Sequence, residues 1–186
     1  FEYKGLIMKE SPTGCWTNHH SLVEYKGEWY LFYHHNDYSP LFDKNRSARI
    51  DRVFFNEDGT IREVIPTLRG VGPVKASSQV HIDRYSKIDG AYIEYLDTSD
   101  LFKGWKTVFA KAGDSVRFDD LDFGKKAPKN MTMRVKAAGD AVLEVTAGDA
   151  FMEVPVSECD DWTEVTFPMS SKVKGVQDII VSLQDD

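Results

Sequence analysis

The stretch Thr17-Asn18-His19-His20-Ser21-Leu22-Val23-Glu24-Tyr25-Lys26-Gly27-Glu28-Trp29-Tyr30-Leu31-Phe32-Tyr33-His34 decides how the first part of this chain folds. Two runs rich in β-branched and aromatic residues flank Lys26-Gly27, and such runs around a glycine-containing turn predict an antiparallel hairpin. With the turn at Lys26-Gly27, cross-strand partners have numbers that sum to about 53, so His19 falls opposite His34 with both side chains on one face. Two imidazoles converging at a strand end can hold a metal or a water, or hydrogen-bond a substrate. The same spacing also describes a pair of partly solvated histidines, because two ligands fall short of the set that zinc needs, and a single bulge would separate them.

A second hairpin is read from Ala48–Phe55, the turn Asn56-Glu57-Asp58-Gly59 and the return Thr60–Ile65. The Asp-Gly step supplies the positive φ that such a turn requires. Four antiparallel strands in two hairpins predict one blade of a β-propeller. The Gly- and Pro-rich run Pro66-Thr67-Leu68-Arg69-Gly70-Val71-Gly72-Pro73 reads as a connector, which divides the chain into residues 1–72 and 73–186. Beyond it, about eight short strands at sandwich spacing are expected. They centre on Tyr92–Tyr95, Trp105–Phe109, Ser115–Phe118, Met131–Val135, Val142–Val145, Phe151–Val154, Thr163–Phe167 and Ile179–Leu183. The expected fold is all-β: one blade, then a jelly-roll sandwich able to bury its own core.

Composition narrows the functions open to such a fold. The 186 residues are 41% hydrophobic and 28% charged, an ordinary globular balance. A net charge of -7 argues against nucleic acid, whose phosphates call for a basic surface, and suits neutral or weakly charged sugars. Aromatic residues at 12% serve cores first, but flat apolar rings also stack on pyranoses. Cys15 and Cys159 make no disulfide framework, and no apolar run is long enough to span a membrane. Phe1-Glu2-Tyr3-Lys4-Gly5 reads as strand material and not as a leader, so the chain is expected to begin inside a domain.

Phe1–Gly5, Thr17–Ser21, Lys26–His34, Arg46-Ser47 and Asn56–Ile61, in that order, resemble the last blade of the five-bladed propeller of family 43 glycoside hydrolases. The resemblance covers about seventy residues. It implies a hydrolase that removes arabinofuranosyl or xylosyl units from plant cell-wall polysaccharide, exported to the periplasm or the medium. It also implies that His19 ligates a calcium ion, or that ion's water, in the central channel. Arg46 and His34 would then contact substrate, a task that suits a guanidinium because it stays charged and forks onto a carboxylate or vicinal hydroxyls.

Family 43 chemistry inverts the anomeric centre with a general base and a general acid on opposite sides of the sugar. In the family these carboxylates lie on earlier blades, so none of this chain's residues is assigned a catalytic role, and the chain alone is expected to be inert. Asp37 and Asp43 read as loop, and Asp58 reads as turn chemistry; Asp51 also lies in the blade. The missing blades of the same protein are implied partners.

Asp122-Phe123-Gly124, Met133-Arg134-Val135 and Trp162-Thr163-Glu164-Val165 resemble a family 6 carbohydrate-binding module. In binding members a Tyr and a Trp clamp a sugar ring. The position of that Trp falls near Cys159 here, so one jaw is missing, and Trp162 reads as core. Tyr92 and Trp105 are the remaining candidate platforms, with buried aromatics as the plainer reading. Asp119-Asp120-Leu121-Asp122 reads as a solvated acidic turn before it reads as a calcium site. The competing function is a non-catalytic module that binds carbohydrate or buttresses the propeller.

Overall fold

The computed structural model describes residues 1–9, 19–36, 46–67 and 69–184. Lys26 and Gly27 adopt φ of +55° and +81°, the pair of left-handed residues that a type I′ turn needs to match strand twist. Around them run β1 (Ser21–Tyr25) and β2 (Glu28–His35), paired antiparallel with Ser21 opposite Phe32. Those numbers give the register the turn predicts. β3 (Ser47–Val53) joins the other edge of β2, with His34 opposite Ala48 and Trp29 opposite Val53. One face of this sheet buries Leu31, Tyr33 and Val53 together with Val64, and Ile7, Met8, Trp29 and Ile61 pack against them. Phe32 and His34 alternate to the opposite face.

Two expectations for this unit are corrected. The run Thr60–Ile65 is not a fourth strand among the described residues. The Asp-Gly turn closes as expected, with Asn56 N–H donating to Thr60 O and Gly59 N–H to Asn56 O, but beyond the single bridge Phe55–Ile61 the ladder stops. Val64 N–H goes instead to Ile7 O at 2.7 Å, so the return segment spends its next donor on the N-terminal segment. Phe1–Gly5 forms no strand either. Gly5 sits at φ +120°, outside the β region that a strand requires.

The chain divides into two compact units, Phe1–Val71 and Gly72–Asp186. The second contains β4 (Val74–Lys75), β5 (Lys87–Asp89), β6 (Tyr92–Tyr95), β7 (Trp105–Val108) and β8 (Ser115–Asp122). These are followed by β9 (Asn130–Ala137), β10 (Ala141–Ala147), β11 (Ala150–Val156), β12 (Cys159–Pro168) and β13 (Val176–Leu183). All eight strands read from sequence are present; the short β4 and β5 are additions. A six-stranded sheet runs β11-β10-β13-β8-β4, with β5 also paired to β8. Its buried face is built from alternate residues: Val116, Phe118, Leu121, Val145, Ala147, Met152, Val154, Ile179 and Val181 are each under a tenth exposed. β9 and β12 form a separate pair, as do β6 and β7.

Asp114 closes this core where β8 begins. It is 1% exposed, and its Oδ2 accepts the main-chain N–H groups of Ala110 and Lys111 at 2.7 and 3.0 Å. The backbone of Gly90, at φ +71°, lies against its other oxygen. The acidic run that follows lies within β8 and is not a turn. Asp119 pairs with Arg117, which also reaches Asp178 at 2.7 Å, and both carboxylates raise the guanidinium pKa. Cys159 is a half-buried free thiol at an irregularity in the β9–β12 register; Cys15 lies outside the described residues.

Candidate functional site: the histidine end of the first hairpin

The turn at Lys26-Gly27 fixes the register of β1 on β2, and that register carries His19 to the side of His34 just beyond the paired strands. The rings lie edge-to-face, centroids 5.9 Å apart and planes at 85°. The main-chain N–H of His19 donates to Nε2 of His34 at 3.2 Å. Nε2 of His34 is therefore an acceptor, and its proton resides on Nδ1 when the ring is neutral. Burial lowers the pKa of His34 from its ordinary value, and the positive charge of Arg46, with that of His19 and His35, lowers it further. Arg46 thus lies close enough to act on the ring. His19 and Arg46 are exposed and His34 is half-buried. Thr17 and Asn18 lie outside the described residues.

These residues do not by themselves fit calcium, which takes six to eight oxygens. The pair offers imidazole nitrogens, one of them already engaged by a main-chain N–H. Among the described residues no group of three His, Cys, Asp or Glu side chains gathers to hold a metal.

Two carboxylates of the first unit, Asp51 and Asp58, have structural occupations. Asp51 is 5% exposed; Tyr33 OH and Thr67 N–H donate to its Oδ2 at 2.5 and 3.1 Å, and Thr67 Oγ1 donates to Oδ1. It staples the connector to β3. Asp58 accepts from both Thr60 N–H and Oγ1, which lowers its pKa and accounts for it as turn chemistry. Asp37 and Asp43 lie outside the described residues.

In the second unit Tyr95 pairs with Trp105 across the β6–β7 ribbon, their rings stacked at 4.2 Å and 22°. Tyr92 pairs with Val108. Alternation then puts Tyr92 and Trp105 on opposite faces of the ribbon, so they form no common clamp. Tyr92 is 46% exposed, against its reading as a buried aromatic, and Trp105 is half-buried under Tyr95. Trp162 is also corrected. It is half-buried, not core, and the Arg134 guanidinium lies 5.6 Å from its ring, on the face of β12 that also carries Glu164 and Thr166. A register irregularity between Cys159 and Thr163 hid that orientation from the sequence.

The xylosidase/arabinosidase 43A of Humicola insolens is 39% identical over 61 residues, 33% of this chain and 18% of that protein. An enzyme of Streptomyces avermitilis named extracellular exo-alpha-(1->5)-L-arabinofuranosidase is 43% identical over 60 residues, 30% of this chain and 12% of its own. This chain is similar to part of the family 43 glycoside hydrolases. It spans less than a fifth of the length of these two relatives. No family model matches the chain. Among solved structures, the fold is that of a family 43 arabinoxylan arabinofuranohydrolase from Bacillus subtilis, solved with cellotetraose. The TM-score is 0.65 at 22% identity, covering all of this chain and 42% of that one. A family 6 carbohydrate-binding module from Clostridium stercorarium, solved with cellobiose, gives 0.53 at 20% identity over 61% of this chain and 88% of its own. The second unit therefore has a carbohydrate-binding-module fold.

Proposed function

We propose that this chain is the C-terminal segment of an inverting, exported glycosidase that removes arabinofuranosyl or xylosyl units from hemicellulose. The sequence match to xylosidase/arabinosidases carries this reading. The convergence of His19, His34 and Arg46 at one strand end supports it. In this role Arg46 contacts the sugar or a catalytic carboxylate. His34 accepts the His19 main-chain N–H at Nε2 and lines the substrate side of the strand end. His19 would face the central channel of a five-bladed propeller beside a calcium-bound water, with that ion's oxygen ligands supplied from beyond the described residues.

No acid or base is assigned here, because Asp51 and Asp58 are already committed to fold-bearing hydrogen bonds. The test compares the 186-residue chain with a longer protein that includes the upstream coding sequence. Both are assayed for xylose and arabinose release from arabinoxylan, with the product anomer followed by NMR. The longer protein is expected to release inverted product while the chain alone is inert. Turnover by the chain alone, or release of product with retained configuration, overturns the reading.

A second role belongs to the sandwich, which carries its own closed core. It serves as a carbohydrate-binding or buttressing module alongside the hydrolase. Deleting Gly72–Asp186 from the longer protein is expected to lower polysaccharide affinity or melting temperature; a protein unchanged in both has no such module.

A further inference from the structure

Lys125-Lys126, read alone, is a solvated pair on a chain of net charge -7. The fold makes it part of a larger surface. Five lysines, Lys125, Lys126, Lys129, Lys172 and Lys174, lie in two segments far apart in sequence, and neither 123–130 nor 168–176 contains an Asp or a Glu. Backbone hydrogen bonds lace these segments together at one end of the sandwich. Phe123 N–H donates to Gly175 O at 2.8 Å, Gly175 N–H to Gly124 O at 2.7 Å, and Met169 N–H to Lys129 O at 2.9 Å. Val173, between two of the lysines, is fully buried, and Gln177 Nε2 donates to Lys172 O and Lys174 O. The backbone is thus pinned while all five lysines stay exposed.

The charge on this end is not neutralised inside the fold. None of the five lysines forms an ion pair among the described residues. Asp122, at the strand end beside them, already accepts the Gly124 N–H at 2.8 Å. Asp149 sits on the β10–β11 turn, whose Gly148 lies against the Gln177 side chain. The opposite end is acidic: β9 and β12 run from the lysine segments to Asp140, Glu158, Asp160 and Asp161, about 20 Å away. Ordinary solvated surfaces intersperse the two signs of charge. Here they are sorted to opposite ends.

We infer that the lysine end docks electrostatically on a hydrated, carboxylate-bearing polymer, a uronate-substituted plant polysaccharide. Lysine ammonium groups are point charges, suited to a polymer's negative charge and not to planar, forked recognition. A membrane is a poorer match, because elements that bind its surface add exposed aromatic or leucine side chains to their lysines. Among the large apolar residues of 123–130 and 168–176, only Val176 is exposed. Binders of single-stranded nucleic acid add arginines and stacking rings, and neither segment holds an arginine. The same polymer repels the acidic end, so the sandwich meets it lysines first. This surface works by charge, without an aromatic platform, and so differs in kind from a pocket that grips a sugar ring. It deepens the hemicellulose reading and rests on it for the identity of the polymer.

The experiment measures binding of the 186-residue chain to polygalacturonate, glucuronoxylan, neutral arabinoxylan and phosphatidylglycerol vesicles, from about 20 to about 300 mM NaCl. The variants are the doubles Lys125→Gln/Lys126→Gln and Lys172→Gln/Lys174→Gln. The control, Lys111→Gln/Lys136→Gln, removes the same charge away from the lysine end. At low salt the chain should bind both uronate polymers more tightly than the neutral one, and the advantage should vanish at high salt. Each lysine-end double should lose about tenfold in affinity for the uronate polymers and lower the salt slope by about one. The control should lose less than about twofold. Equal affinity for charged and neutral polysaccharide at low salt, or an equal loss in the control, overturns the surface. So does tighter binding to the vesicles than to the polymers, or salt-sensitive self-association in gel filtration that the lysine-end variants abolish. If the longer protein releases pentose from arabinoxylan while this chain ignores uronate polymers, the surface falls and the glycosidase reading stands. Uronate binding by this chain, with no pentose released by the longer protein, does the reverse.

Discussion

His19 donates its main-chain N–H to Nε2 of His34 across the end of the first hairpin, 3.2 Å from nitrogen to nitrogen. The bond makes Nε2 of His34 the acceptor, and therefore sets which tautomer the neutral ring adopts. A protonated Nε2 would face a donor, and Arg46 nearby adds to the cost. The Nδ1–H tautomer of His34 is expected in long-range nitrogen–proton NMR spectra, with a midpoint below the ordinary 6.5. A ring protonated on Nε2 near neutral pH would contradict the geometry.

Asp51 holds the connector to the blade through Tyr33 and Thr67. Removing one donor leaves the charge partly satisfied, so Tyr33→Phe should cost about 1–2 kcal/mol. Asp51→Ala strands several buried donors at once and should cost about 3 kcal/mol or more. Urea unfolding of the 186-residue chain measures both; equal small losses would mean that the carboxylate is not the hub.

Gly90 has no room for a side chain. A Cβ there would lie 2.2 Å from Asp114 Oδ1, and φ is +71°. Gly90→Ala is expected to destabilise the second unit by about 2–4 kcal/mol, through strain and displacement of a buried carboxylate. Gly139 meets nothing within 4 Å and has no positive φ, so Gly139→Ala is the control and should be neutral or slightly stabilising in the same melt.

Asp97 accepts from Lys103 Nζ, Ser99 N–H and Ser99 Oγ, and these bonds hold its pKa well below the ordinary 3.8. A carboxylate with a depressed folded pKa takes up its proton later than the unfolded chain does. Its contribution is therefore present above pH 3.8, and it is lost as pH falls through the lower folded value. The carboxyl carbon shift of Asp97 should titrate below that of an exposed aspartate, and Lys103→Ala should move it back up. No movement would assign the depression to Ser99 alone.

Much of the fold was legible because its signals are local. Each of the eight sandwich strands carries its own alternation, and the Asp58-Gly59 turn carries its own capping chemistry. The fourth strand of the blade and the N-terminal strand were misread for a shared reason. A run with strand composition becomes a strand only when a neighbour accepts its hydrogen bonds, and Val64 gave its N–H to Ile7. Tyr92 and Trp105 could not be assigned to faces because the loop between β6 and β7 sets their register, and no two-residue turn fixes it. Trp162 was misplaced by a bulge, which shifts alternation by a residue without altering composition.

What the sequence determined unaided was the pairing of His19 with His34. A two-residue turn at Lys26-Gly27 leaves the flanking strands one register, and every partner follows by counting. What only the tertiary structure decided was which distant residues share a surface. Arg46 beside His34, Thr67 on Asp51, and the lacing of the Lys125 and Lys174 segments all depend on strands that meet far from one another in the chain. Non-local hydrogen bonding sets those neighbours, and no short window of residues encodes it.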